Sequence, residues 1–182
     1  MDLFCNIKKG HVFYQYLDEE TYMNNLVSFI STGIENKEHI LIIENLRNHP
    51  KLMAILNTLF SEKQQSTIRI VNNFNYYLLN GDFNTPNIVN HFTEDISFIN
   101  KFNTTIRTWA HVEWASSEGD AKLLKDFEST ADELVVAENL LSVCAYSSMR
   151  LTPQLTTTLE MFHQYIMTDD QFVASPIYKN RQ

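Results

Sequence analysis

The sequence predicts an α/β fold of three layers, a mainly parallel β-sheet with helices on both faces. Three observations predict it. Short strand-like runs alternate with helix-like segments along the whole of the 182 residues. The run His39 to Glu44 (HILIIE) is continuously apolar from Ile40 to Ile43, as suits a strand buried on both sides. Strands joined through helices also imply βαβ crossovers, which lay the helices against the two faces of the sheet.

His11 to Tyr16 (HVFYQY) is the first strand, rich in aromatics. Asp18 is placed to cap a helix with Glu20 and Thr21 in its first turn, and Tyr22, Leu26, Val27, Ile30 and Ile34 recur with the 3.6-residue period of a buried face. After the HILIIE strand a second helix runs from about 48 to 62, with Pro50 suiting its first turn and Leu52, Ile55, Leu56, Leu59 and Phe60 inward. Thr67 to Val71 is the third strand. Residues 72–86 (NNFNYYLLNGDFNTP) mix apolar residues with turn formers, and Asn80-Gly81 signals a tight turn, so an irregular excursion or small hairpin is expected. A helix from Pro86 to Asn103 turns Ile88, Val89, Phe92, Ile96, Ile99 and Phe102 inward. Ile106 to Ala115 is the fourth strand, its last residues beyond the sheet. A helix over Ala121 to Ala137 buries Leu124, Phe127, Leu134 and Val135, and Leu141 to Tyr146 is the fifth strand. A helix from Pro153 to Met167 buries Leu155, Leu159, Phe162 and Ile166, and Phe172 to Ser175 is a short last strand. With no repeat, low-complexity tract or linker, the reading is one domain over 1–182 with its core at about 10–175.

Composition narrows the function. A net charge of −8 with 14 scattered basic residues argues against nucleic acid and against an anionic membrane surface. No apolar run reaches the ~18 residues needed to span a bilayer, and the N-terminus lacks a signal-peptide core, so a cytoplasmic location is expected. Cys5 and Cys144 form no CxxC or Cys/His ladder, so neither a structural zinc site nor any other metal or cofactor is implied.

Ligands of open α/β sheets bind at the carboxyl ends of the strands, which selects the residues of interest. His111 and Glu113 lie two apart on a strand and share a face. An HxE pair suits a zinc deaminase only with a PCxxC that is absent here, so a mutually satisfied strand-end pair is the favoured reading. Cys144 with His111 or His163 has the residue types of a thiol nucleophile, but a cysteine in an apolar strand reads first as a small core residue. His11, Tyr16, Trp109, Trp114 and Tyr146 form an aromatic and polar set that serves equally as a small-molecule pocket or as core packing. Asp18-Glu19-Glu20 reads as a solvated helix start, with docking of a basic partner as the alternative.

The order of motifs resembles the MEDS domain, the sensory domain named from methanogens, methylotrophs and the dichloromethane regulator DcmR. The features that carry the resemblance are His11 followed by Tyr16, the turn Gly81-Asp82-Phe83, Arg107 with Trp114 seven residues on, Glu128 on the next helix, and Cys144-x-Tyr146. They extend from about Gly10 to Val173. The sequence departs from the family pattern at His111, where a Glu is usual and a carboxylate follows at Glu113. It departs again at Ser147, where an acidic residue is usual, and near Asp169, where a His is common after the last helix.

The resemblance implies a RecA/KaiC-like fold and detection of a small organic molecule. It implies a stand-alone version acting through a partner, a histidine kinase or transcription regulator. It also tips the aromatic set toward a pocket around His11, Glu113, Trp114 and Cys144, with Tyr16, His111 and Tyr146 as further ligand contacts. A phosphate-binding loop is not expected: the first strand leads into Leu17-Asp18-Glu19-Glu20, which has no glycine and three carboxylates. The reading is therefore a non-enzymatic sensory domain. A protein-interaction module with no ligand of its own is the alternative. Oligomeric state is open, a homodimer being the commonest case.

Overall fold

The strand Gly10–Tyr16 (β1) lies beside Leu141–Ser147 (β5) on one side and Tyr165–Met167 (β6) on the other, all three parallel. The computed structural model describes residues 4, 7–78, 83–100, 104–113 and 120–179. Between β1 and β5 the chain runs through Glu19–Glu35 (α1), His39–Glu44 (β2), His49–Leu59 (α2), Glu62–Gln65 (α3) and Ile68–Asn72 (β3). It continues through Asn73–Tyr77 (α4), Thr85–Asn100 (α5), Ile106–His111 (β4) and Asp120–Ala137 (α6). After β5 come Pro153–Phe162 (α7), β6 and Phe172–Ala174 (β7). The seven strands among the described residues are ordered β3-β2-β4-β5-β1-β6-β7, parallel except for β7 against β6.

The predicted three layers are present. Alternate residues of β1, β2, β4 and β5 feed two separate cores. Val12, Tyr14, Tyr16, Ile40, Ile42 and Trp109 pack with α1 and α2, through residues such as Leu26, Phe29 and Leu56. Phe13, Leu41, Ile43, Ala110, Cys144 and Tyr146 pack with α4 to α7. Asp18 caps α1 as expected, its side chain accepting from the Thr21 amide. Behind α1, Gly33 permits close approach. A Cβ there would stand 2.8 Å from Arg107 Cδ and from Ile40 Cδ1. The buried Arg107 donates to Glu38 Oε2 (2.5 Å) and to the Phe29 carbonyl (3.0 Å), with its guanidinium over the Phe29 ring.

Four expectations are corrected. The last helix ends at Phe162, not Met167. His163 leaves it with extended backbone and its ring Nδ1 donates to the Leu159 carbonyl (2.7 Å), satisfying an acceptor that a helix end leaves open. Residues Tyr165–Met167 then pair with Val12–Tyr14 as β6. The second helix breaks at Phe60 and restarts as α3 behind a Ser61–Gln64 capping box. Leu59, expected inward, is exposed, and Phe60 packs against the core instead. The stretch after β3 begins as a helix, α4, capped by Asn72. The Asn80-Gly81 turn lies outside the described residues.

Candidate functional site

The sheet divides the predicted site residues into two groups. At the carboxyl edge, on the α1 face, Tyr16 ends β1, Glu44 ends β2 and His111 ends β4. The His111 ring is held at both nitrogens, Nδ1 by Glu44 Oε1 (2.7 Å) and Nε2 by the Tyr16 hydroxyl (2.9 Å). Tyr22 donates to the other Glu44 oxygen at 2.5 Å and accepts from Trp109 Nε1 at 3.0 Å. The Asn45 amide and Asn48 Nδ2 add donors to Glu44 Oε1. Asn73 of α4 ties the His111 carbonyl to the Glu113 carboxylate through bonds of 3.1 and 2.7 Å.

Burial opposes a charge on His111, but the hydrogen bond and charge of Glu44, then Glu113 and Glu19, outweigh it and raise its pKa above the ordinary value. Burial, then the charge of Glu19, pushes the Tyr16 hydroxyl up, so that it stays protonated. Neutral His111 donates from Nδ1 and accepts from Tyr16. Protonated, it donates from both nitrogens, and the Tyr16 hydroxyl turns its hydrogen elsewhere and accepts from Nε2. The arrangement is a buried hydrogen-bonded latch between three strands.

On the opposite face, His11 of β1, Cys144 and Tyr146 of β5, Glu128 and Asp132 of α6, and His163 after α7 come together. His11 Nε2 is 3.4 Å from Cys144 Sγ and 3.5 Å from Glu128 Oε2. The Tyr146 hydroxyl donates to Glu128 Oε1. Burial and then the neighbouring Glu128 charge push the Cys144 thiol far up, which opposes a free nucleophilic thiolate. Burial and His163 lower His11. Burial opposes a charge on Glu128, but His163, then His11 and Tyr146, hold its carboxyl below the usual range. Cys144 also borders a small cavity of about 30 Å³ whose walls include Ile43, Tyr76, Tyr77, Ala110 and Phe127.

The single pocket expected around His11, Glu113, Trp114 and Cys144 is thus distributed. His11, Cys144 and Tyr146 share the α6 face, whereas Tyr16 and His111 share the α1 face. Glu113 lies past the end of β4 against Asn73, and Trp114 and Cys5 lie outside the described residues. Sequence reasoning passed over Glu44, Tyr22, Asn73 and Asp132. Glu44 carried a signal, being the one charged residue that closes an otherwise apolar buried strand at its carboxyl end. The other three are ordinary helix residues.

Asp169, at the position where the family His was expected, holds the loop after β1. It accepts from the Tyr14 hydroxyl (2.7 Å) and from the backbone amides of Leu17 and Asp18 (3.0 Å each). That assignment assumed a helix reaching Met167, and with α7 ending at Phe162 the residue just after the last helix is His163.

No helix among the described residues is long and apolar enough to cross a membrane. A family model, the MEthanogen/methylotroph, DcmR Sensory domain (MEDS), matches residues 10–164. No curated protein matches. Among solved structures, a KaiC-like protein from the hyperthermophilic archaeon Pyrococcus horikoshii OT3 superposes with a TM-score of 0.60 at 13% identity, over 88% of this chain and 71% of that one. A second Pyrococcus horikoshii OT3 protein gives 0.57 at 8% identity, over 95% and 89%. The flagellar accessory protein FlaH from Methanocaldococcus jannaschii gives 0.51 at 11%, over 88% and 71%. At these identities the likeness is one of fold, the RecA/KaiC-like three-layer arrangement.

Proposed function

The chain belongs to the MEDS sensory-domain family, and from that premise we propose that it is a non-enzymatic sensor that binds a very small organic molecule and relays its presence to a partner regulator or kinase. The observation that carries the reading is the cavity beside Cys144. A water needs about 10–15 Å³ of such space, so about 30 Å³ suits a compound of roughly one or two carbons, and its largely apolar walls favour an apolar one. The cavity also touches Ile88, Phe92 and Val135 of α5 and α6, so an occupant bears on how those helices pack on β4 and β5. Differential affinity for two such packings is what a sensor requires. The glycine-free loop after β1 supports a role without catalysis.

A rim of exposed apolar side chains supports the partner. Leu17, Leu46, Phe74 and Met149 are 70%, 65%, 60% and 86% exposed, and each follows the carboxyl end of a different strand. This rim also favours the second reading, an interaction module with no ligand of its own.

A panel of one- and two-carbon compounds, screened by ligand-observed NMR and thermal shift, separates the two. The sensor reading expects a hit that is lost in Ala110→Leu, which fills the cavity, while the variant keeps its circular dichroism. No hit across the panel, together with partner capture abolished by Leu46→Asp and Met149→Asp, leaves the interaction module.

A further inference from the structure

Four side chains from four separate segments converge between the sheet and α6: His11, Glu128, Cys144 and His163. One donor atom from each lies within 4.8 Å of all the others, and all four residues are buried. His163 Nε2 is 3.3 Å from Glu128 Oε2, while His11 Nε2 stands 3.4 Å from Cys144 Sγ and 3.5 Å from Glu128 Oε2. A tetrahedral ion with bonds of about 2.0–2.3 Å sets its ligand atoms roughly 3.3–3.8 Å apart.

The hydrogens point the same way. His11 Nδ1 faces the Phe162 carbonyl at 3.1 Å and Asp132 Oδ1 at 3.3 Å. His163 Nδ1 faces the Leu159 carbonyl. Carbonyls only accept, so both Nδ1 atoms carry hydrogen, and in neutral rings both Nε2 lone pairs face the centre. Tyr146 occupies Glu128 Oε1, which leaves Oε2 directed inward. Glu128 Oε2 and His163 Nε2 are fully buried, and beyond facing each other at 3.3 Å neither has a hydrogen-bond partner. Acceptors buried face to face are costly, and one cation satisfies them all. The two imidazole rings are 3.8 Å apart, a poor arrangement for two positive charges.

We propose that His11, Glu128, Cys144 and His163 form a four-coordinate site for a zinc-type divalent ion. Two imidazoles, a thiolate and a carboxylate are the donors such an ion takes, and four protein ligands close its coordination, as in structural sites. Binding forms one metal–sulfur bond and releases the Cys144 proton to solvent, with no change of oxidation state. The Asp132 carboxylate behind His11, itself held by the Tyr178 hydroxyl (3.2 Å), and the carbonyl behind His163 are the outer partners that orient metal-bound imidazoles. The site does not depend on what fills the neighbouring cavity.

The test uses the full chain. Elemental mass spectrometry of the purified protein is expected to find one zinc-type ion per chain. After chelation, cobalt(II) titration is expected to give tetrahedral visible bands and a sulfur-to-cobalt charge-transfer band, saturating at one equivalent. Cys144→Ser is expected to abolish the charge-transfer band. Asp132→Asn removes only the support behind His11 and is expected to weaken cobalt affinity about 10- to 100-fold with the far-ultraviolet dichroism unchanged. If chelation unfolds the chain, refolding on zinc but not on magnesium supports the site, and refolding on both alike overturns it. A stripped, folded chain that takes up no cobalt also overturns it, as does a charge-transfer band that survives Cys144→Ser.

Discussion

Replacing Glu44 by Gln tests the carboxyl-edge latch without changing its shape. The Glu44 carboxylate accepts from Tyr22 at 2.5 Å, from the Asn45 amide and His111 at 2.7 Å, and from Asn48 at 3.3 Å. An amide keeps one acceptor oxygen and turns an NH2 toward donors, so about two charge-assisted bonds of roughly 1.5–3 kcal/mol each are lost. Removing one partner of a buried pair costs about 3–5 kcal/mol, which is consistent with that sum. For a chain of this size the melting temperature should fall by about 6–20 °C. The sign with pH follows from His111, whose pKa is raised in the fold. Its pairing with Glu44 contributes fully below its unfolded pKa of about 6.5 and fades as pH rises through the raised value. Urea denaturation of both proteins at about pH 6 and about pH 9 should therefore give the larger difference at the lower pH. Glu113, Glu19, Tyr16 and Tyr22 remain in both proteins, so they do not account for the contrast. A loss below about 1 kcal/mol, or one equal at both pH values, refutes the reasoning.

Two further predictions follow from buried or tethering charges. Arg107→Ala leaves Glu38 buried without its guanidinium and should cost about 3–5 kcal/mol by denaturation, while Arg107→Met combined with Glu38→Gln should recover much of the loss. Asp169→Ala removes the acceptor of Tyr14 and of two backbone amides. It should cost about 1–3 kcal/mol and speed hydrogen exchange at Leu17 and Asp18.

The layers and most elements were legible because their signals are local. The HILIIE run, the Asp18 cap and the Tyr22–Leu26–Ile30 stripe each lie within one element. The end of α7 was not legible. Ile166 continues the helical spacing of Leu159 and Phe162, and a strand of only three residues has no period of its own to set against it. Leu59 likewise sits on the stripe of Leu52 and Leu56 but at a helix end, where spacing no longer guarantees cover. The site was half legible. Strand-end residues were found by the carboxyl-edge rule, yet the pleat sends His11 and Tyr16 of one strand to opposite faces, which an even-odd count alone would have shown. The four residues of the proposed ion site carried no sequence signal, for a different reason. Its members stand at positions 11, 128, 144 and 163, on separate elements, so no short spacing marks it. Only the fold brings them together.

Asp169 has a consequence beyond holding the loop. The Leu17 and Asp18 amides stand between the first strand and the first helix, where backbone N–H groups of an α/β sheet commonly receive an anion. Here the anion is part of the chain. A tethered group competes at an effective concentration on the order of millimolar or higher. It does so without leaving, and a free phosphate ester must both displace it and approach Asp18, Glu19 and Glu20. The amides at this turn are thus already engaged by a carboxylate of the same chain.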